Sequence, residues 1–214
     1  MDLLDDHVAI DLARAGPHEG IADVYELVRA AIRKGCALRC RYESIERSVN
    51  GRADGDEFLF QPYTLFFSQR AWYAVGHHGH RGEVRCLKLN RFSSIAITGE
   101  RYTIPRDFTL ANHLGNAWRM IRGKKSYNVE LHFDAGFAET IADTHWHPTQ
   151  KIEWLDDGAI LFRCTVDGLD EILWWVLSMG PHCCVIEPPE LIERVRELAN
   201  KMVSRYDSYT SRGQ

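Results

Sequence analysis

Residues 61–65, Gln61-Pro62-Tyr63-Thr64-Leu65, lead into Arg70-Ala71-Trp72-Tyr73-Ala74-Val75-Gly76, and after a turn into Val84-Arg85-Cys86-Leu87-Lys88-Leu89-Asn90-Arg91-Phe92. Each run is short, rich in β-branched or aromatic residues and bounded by turn formers, which is how strands read in a sequence. Working outward, ALRCRYES from Ala37, DEFLFQPYTLFF from Asp56 and SSIAIT from Ser93 carry the same pattern. Asn50-Gly51, Asp54-Gly55 and the stretch from Gly79 to Gly82 punctuate them. Five strands within about 65 residues predict a small, strongly bent β-barrel of SH3 or Sm type, or else an open antiparallel sheet.

Upstream, Ile21, Val24, Tyr25, Val28, Ala31 and Ile32 recur at helical spacing, with Gly35 placed to stop the helix. Downstream, residues 101–126 read as a connector: Pro105, a short helix from about Asp107 to Leu114, then the basic run Trp118-Arg119-Met120-Ile121-Arg122-Gly123-Lys124-Lys125. NVELHF follows as a strand and AGFAETIADT as a short helix. HPTQKIEWL and AILFRCTV are two strands joined at Asp156-Asp157-Gly158, a hairpin signal. LDEILWWVLSMG is a helix that Gly180-Pro181 stops, and CCVIE is a strand. A last helix from Pro188-Pro189 to about Tyr206 sets Leu191, Val195, Leu198 and Met202 on one face. The order βαββαβ with a terminal helix is the split βαβ, or ferredoxin-like, arrangement. The expected organisation is therefore α+β: an N-terminal segment with one helix (1–35), a barrel domain (36–100), a basic connector (101–126), a second domain (127–206) and a tail (207–214).

At 214 residues, 45% hydrophobic and 11% aromatic, the chain can bury a sizeable core. It has no apolar run near the ~20 residues a membrane span needs, and its first residues are acidic where a signal peptide is basic. Six cysteines are scattered without framework spacing, and most sit in apolar stretches such as Leu38-Arg39-Cys40 and Cys183-Cys184-Val185. That predicts buried thiols in a reducing compartment, the cytoplasm. The net charge of −4 is unevenly distributed: residues 101–126 hold 6 basic and 1 acidic side chains, residues 127–206 hold 6 and 14. A polyanion would look to the middle third of the chain.

The histidines include His77-His78-x-His80 and His145-x-His147, with His182-Cys183-Cys184 later. A zinc site needs four converging ligands. Cys36 and Cys40 share a strand face but stand roughly 13 Å apart, Cys183 and Cys184 point to opposite faces, and the first three histidines fall at a hairpin tip. No metal or cofactor is expected. Nor is an enzyme: the sequence has no nucleophile elbow, phosphate-binding Gly loop or His-Glu-x-x-His helix, and Glu190, Glu193 and Glu197 lie on a helix surface. The informative constellation is Arg85, Lys88 and Arg91, on or beside one strand and next to the aromatic pair Trp72-Tyr73. Strand alternation puts Arg85, Leu87, Leu89 and Arg91 on one face and Val84, Cys86, Lys88 and Asn90 on the other. Arg85 and Lys88 then diverge unless a bulge or curvature reunites them. An exposed strand face with snorkelling arginines over a buried Trp reads the same residues without a ligand.

The ordered series Pro62-Tyr63, Trp72-Tyr73 and Arg85-Cys86-Leu87-Lys88-Leu89-Asn90-Arg91-Phe92 resembles the WYL domain, named for a Trp-Tyr-Leu motif. In that family an Arg-x-Phe-Arg-Leu-Asp-Arg-Ile-like strand follows the motif. Pro105-Arg106-Asp107-Phe108 is similar to the family's stretch after the barrel. His147-Pro148-Thr149-Gln150, Asp157-Gly158, Trp175-Val176-Leu177-Ser178-Met179-Gly180 and Val185-Ile186-Glu187-Pro188-Pro189-Glu190-Leu191 match, in order, the extension that commonly follows it. The resemblance runs from about Leu38 to Tyr206. It implies an Sm-like barrel of the kind carried behind a winged helix-turn-helix in bacterial transcription regulators. Such a barrel senses a nucleotide-like ligand or a nucleic-acid strand through a basic and aromatic patch. Carried over residue by residue, it implies ligand contacts at Tyr42, Tyr73, Arg85, Lys88 and Arg91, with Pro62 and Trp72 as structural motif residues. Three positions depart from the pattern. Ala74 replaces the motif Leu, Lys88 replaces an Arg and loses its bidentate geometry, and Phe58 stands where a basic residue is usual.

The partners expected are a small nucleotide-like ligand or single-stranded nucleic acid, with duplex DNA engaged only through a helix-turn-helix that residues 1–37 do not supply. A stand-alone single-stranded nucleic-acid-binding accessory protein is the alternative. A basic connector without a recognition helix predicts weak, salt-dependent, non-specific DNA binding at most. The resemblance also implies a homodimer through the extension. Trp174 and Trp175, about 100° apart on one helix, cannot both face inward, so one lies at a domain boundary or subunit contact, the favoured reading, or is merely partly exposed.

Overall fold

Helix α1 (Ile21–Lys34) buries Val28 and Ala31 and ends on Gly35, whose φ of 60° lets its N–H turn back to the carbonyls of Ala31 and Ile32. The structure, a computed structural model, describes residues 20–43, 57–68 and 71–210; the turns expected at Asn50-Gly51 and Asp54-Gly55, and Arg70, lie outside these. After α1 come β1 (Cys36–Tyr42), β2 (Phe58–Ser68), β3 (Ala71–His78), β4 (Glu83–Lys88) and β5 (Phe92–Arg101). They form one antiparallel sheet in the order β4-β3-β2-β1-β5. Leu38, Phe60, Ala74, Leu87 and Leu89 face α1 and make the first core with Val28 and Ala31.

The strand run expected through Asn90 stops at Lys88. Leu89–Arg91 is a single 3-10 turn, so strand alternation does not govern Arg91. That turn joins β4 and β5, the opposite edges of the sheet. Three residues span only about 10 Å, so the sheet must curl until its edges come close. No ladder joins β4 to β5 among the described residues. The sheet is bent and open, not closed into a barrel by pairing.

The chain divides into two compact units, Met1–Leu110 and Ala111–Gln214. The helix expected from Asp107 is the single turn α2 (Leu110–Leu114), because Pro105–Phe108 forms a turn of its own. The second unit then runs β6 (Ser126–Phe133), α3 (Ala135–Ala142), β7 (Lys151–Trp154), β8 (Ile160–Asp167), α4 (Asp170–Ser178), β9 (Cys183–Glu187) and α5 (Pro189–Thr210). Its sheet has the order β7-β8-β6-β9 with every neighbouring pair antiparallel. Alternate residues of β6 (Val129, Leu131, Phe133) and β8 (Ile160, Phe162, Cys164) pack with Ile172, Trp175 and Leu191 from the helices. β7 starts four residues later than its sequence suggests. The Gln150 side-chain oxygen accepts from the amides of Trp146 (2.6 Å) and His147 (2.9 Å) and folds His147–Gln150 into a turn. Trp175 is 5% exposed and its neighbour Trp174 65%, as their angular separation requires. Both units bear out the mixed α+β class with antiparallel sheets.

Candidate functional site

The candidate residues sit where β3, β4 and the 3-10 turn meet. β2 contains one extra residue opposite β3, a bulge between Pro62 and Thr64, and Pro62 sits at that irregularity, where a residue without an N–H is tolerated. Its partner Gly76 carries no side chain for a compelling reason. A Cβ there would stand 2.2 Å from the Gln61 carbonyl oxygen and 2.7 Å from Pro62 Cα. Tyr102 donates its hydroxyl to the Pro62 carbonyl, and Tyr63, buried, packs edge-on against Phe108 at 4.9 Å. Trp72 packs against the first core, with its ring 4.8 Å from Tyr25 of α1. Pro62 is thus buried at the bulge, and Trp72 half-buried against the edge of the first core.

Tyr42, at the end of β1, packs edge-on against Phe92 at 5.2 Å. Its hydroxyl oxygen accepts the Lys88 backbone N–H at 3.0 Å, and the Arg91 guanidinium reaches the same phenol. Burial pushes the Tyr42 phenol above its ordinary pKa, with the Lys88 amide and Arg91 pulling the other way. Tyr73 lies directly opposite Lys88 in the β3–β4 ladder. The structure therefore gathers Tyr42, Tyr73, Lys88 and Arg91 at one corner.

Arg85 is placed differently. It opposes Gly76, three residues from Lys88 and so on the other face of β4, the face of Leu87. There its Nε donates to Glu83 at 2.8 Å. The neighbours on that side are Phe58 and His78, whose rings stack at 3.9 Å and 8°. Burial, with Arg81, His80 and Arg85 adding to it, pushes the His78 imidazole down to about 4. His77 and His78 belong to β3, and only His80 lies in the turn expected to hold all three. The one sequence signal for this aromatic locus is Phe58 itself, the departure from the family pattern. Among the described residues no group of three His, Cys, Asp or Glu side chains could hold a metal ion. Burial pushes the Cys40, Cys164 and Cys183 thiols up to about 12, away from thiolate chemistry.

Among known proteins, residues 23–97 match the WYL domain and residues 125–203 the WCX domain. Several solved structures are similar, among them the following two. The proteasome accessory factor B/C (PafBC) of Arthrobacter aurescens is 21% identical, with 91% of this chain and 29% of that chain covered, at a TM-score of 0.41. A CRISPR Cas-related protein is 11% identical, with 88% of this chain and 53% of that chain covered, at a TM-score of 0.56. The chain thus spans from under a third to about half the length of these structures.

Proposed function

The chain belongs to the WYL-domain family, with a WCX domain behind its WYL domain, and on that premise we propose that it is the ligand-sensing and self-associating part of a transcription regulator. The observation that carries this reading is the meeting of Tyr42, the Lys88 backbone and Arg91 where β4 ends, with Tyr73 directly opposite Lys88 in the ladder, all within the WYL-matched residues. Such a corner suits a nucleotide-like ligand: guanidinium and ammonium groups take phosphate oxygens, and phenol rings take a base or sugar edge. The curled five-stranded sheet supports the Sm-like description of the first unit. The order β7-β8-β6-β9 supports the ferredoxin-like description of the second. DNA reading is assigned to a helix-turn-helix that this chain is not proposed to supply, and no turnover is assigned to this chain.

Self-association belongs to the same reading. The second unit presents Trp174 at 65% and Tyr206 at 76% exposure, large side chains of the kind that interfaces cover. Six free thiols suit a cytoplasmic setting. Among the described residues no helix is long and apolar enough to cross a membrane.

The test is titration of the protein with nucleotides and short single-stranded oligonucleotides at low and moderate salt, for the wild type and Arg91→Ala. Loss of one charge-assisted contact predicts affinity at least about tenfold weaker in the variant. Equal affinities for wild type and variant, or no binding of either ligand class at low salt, would remove the nucleotide-like ligand from the proposal.

A further inference from the structure

Three directly opposed residues cross the sheet in one row: Phe66 of β2 faces Tyr73 of β3, and Tyr73 faces Lys88 of β4. Opposed residues in antiparallel ladders project from the same side of the sheet. The row thus sets two aromatic rings beside one ammonium on the face away from α1. The Phe66 and Tyr73 rings lie 5.6 Å apart at an interplanar angle of 27°, close to parallel, and all three side chains are half-buried. Two near-parallel rings ending in a cation are the chemistry that receives a flat heterocycle bearing one anion, since every base has a π-face and its phosphate sits a few ångströms away.

Resting on the nucleotide-like ligand proposed above, we infer that the ligand unit is a single nucleotide, its base stacked on the Phe66–Tyr73 pair and its phosphate at Lys88, with Arg85 taking no part. Phe66 is then a binding residue outside the basic and aromatic set that motif reading selects. Arg85 is left out by geometry, because it leaves β4 on the opposite face and is bonded there to Glu83. One ammonium in the row, with Arg91 one turn further along the chain, matches one phosphate better than a long run of them.

Calorimetric titration of the full chain would use four probes: a purine mononucleotide, its nucleoside, ribose 5-phosphate, and a short purine single strand. Phe66→Leu is expected to weaken the mononucleotide and the strand by at least about fivefold, the low end of a lost base–aromatic stack, and to leave ribose 5-phosphate unchanged. Phe66→Trp keeps a ring and is expected to restore binding, which separates lost stacking from a damaged fold. Lys88→Gln should weaken every phosphate-bearing probe, and Arg85→Gln should stay within about twofold of the wild type, as a cation on the far face would. A strand that binds much more tightly than the mononucleotide overturns the single nucleotide as the ligand and leaves the row only as one step of a strand site. Equal affinities support a free nucleotide. Binding that is insensitive to Phe66→Leu, or an Arg85→Gln loss as large as that of Lys88→Gln, overturns the row. A wild-type chain that binds none of the probes removes the nucleotide reading beneath it instead.

Discussion

The two units handle charge in opposite ways. In the second, acidic unit the carboxylates are bound to the chain's own connector. Glu171 accepts the successive amides of Arg119, Met120 and Ile121 at 2.8, 2.9 and 3.0 Å. Asp167 accepts the Asn116 amide at 3.2 Å and Arg122 Nε at 2.9 Å, and Glu190 takes Lys125 Nζ at 2.6 Å. In the first unit, the cations of β4 and its turn stand among aromatic rings, and of these cations only Arg85 forms an ion pair among the described residues, with Glu83. Of the six basic side chains in a stretch that carries +5 as sequence, Arg122 and Lys125 are therefore paired with carboxylates of the second unit, and Glu171 is engaged by backbone amides. A strand of modest net charge holds the proposed ligand corner. Net charge along a sequence says how many cations there are, and the fold decides which of them meet a ligand.

This contrast breaks most easily at Trp118. The connector inserts this residue, 5% exposed, into the second core, stacked on His147 at 5.5 Å and 6° and 4.6 Å from Trp175. Trp118→Ala should destabilise the second unit by about 3–5 kcal/mol, the usual cost of an aromatic truncation in a core. The first unit has its own core around Leu38, Phe60 and Leu87 and should keep its protection. Hydrogen exchange resolved along the chain would show this, and equal loss of protection in both units would sink the distinction.

Gly76→Ala asks the complementary question of the first unit. The added methyl would meet backbone atoms at 2.2 and 2.7 Å, which cannot rotate away as a side chain could. A cost of about 1–3 kcal/mol, felt in the first unit, is expected from such overpacking. The measurement is a urea unfolding curve followed through Trp72. An unchanged midpoint would mean that the β2 bulge is free to shift.

Glu171→Ala is a smaller perturbation. It leaves three neighbouring amides without their common acceptor, but the site is partly open to water, so about 1–2 kcal/mol is expected, not the full price of three buried donors. The same variant sharpens the comparison electrostatically. Releasing the amides of 119–121 should raise binding to a random duplex at low salt if the connector is held back by its own domain. No change would show that the carboxylate staple has no bearing on nucleic acid.

Much of this fold was legible because its determinants are local. The 3.6-residue pattern of α1, the Asp157-Gly158 turn and the alternation of β6 and β8 each act within a few residues, and the elements fall where those patterns place them. What could not be read depends on contacts distant in sequence. Whether β4 and β5 pair is a matter of closing a sheet across its edges, and nothing in either strand's composition decides it. The 3-10 turn at Leu89–Arg91 looks like two more strand positions until the bonds of Lys88 to Tyr42 and Glu43 to the Arg91 carbonyl (2.9 Å) are seen. The site was legible as a set of residues but not as an arrangement. Alternation correctly separated Arg85 from Lys88, while the alignment of Phe66 with Tyr73 depends on the register past the bulge at Pro62.

The finest test of the contrast is one histidine. In the first unit His78 is stacked on Phe58 and pushed down to about 4, first by burial and then by the positive surroundings of Arg81, His80 and Arg85. The unfolded chain takes up this proton near the ordinary value of about 6.5, the folded chain only near 4. Between those values acid favours the unfolded form. The first unit should therefore hold its full stability above about 6.5 and lose part of it as pH falls towards 4. Asp167 in the second unit behaves differently. The Ser126 hydroxyl, helped by the Asn116 amide and Arg122, holds its carboxyl below the usual range against the effect of burial. Its stabilising share persists above the ordinary carboxylate value and is lost only as pH falls through its lower folded one. Histidine resonances followed by NMR should show His78 titrating near 4, and His78→Gln should flatten the stability of the first unit between pH 6.5 and 4. A His78 that titrates near 6.5 would mean that the Phe58 stack does not exclude water, and that the aromatic locus around Arg85 is as open as the Phe66–Tyr73 row.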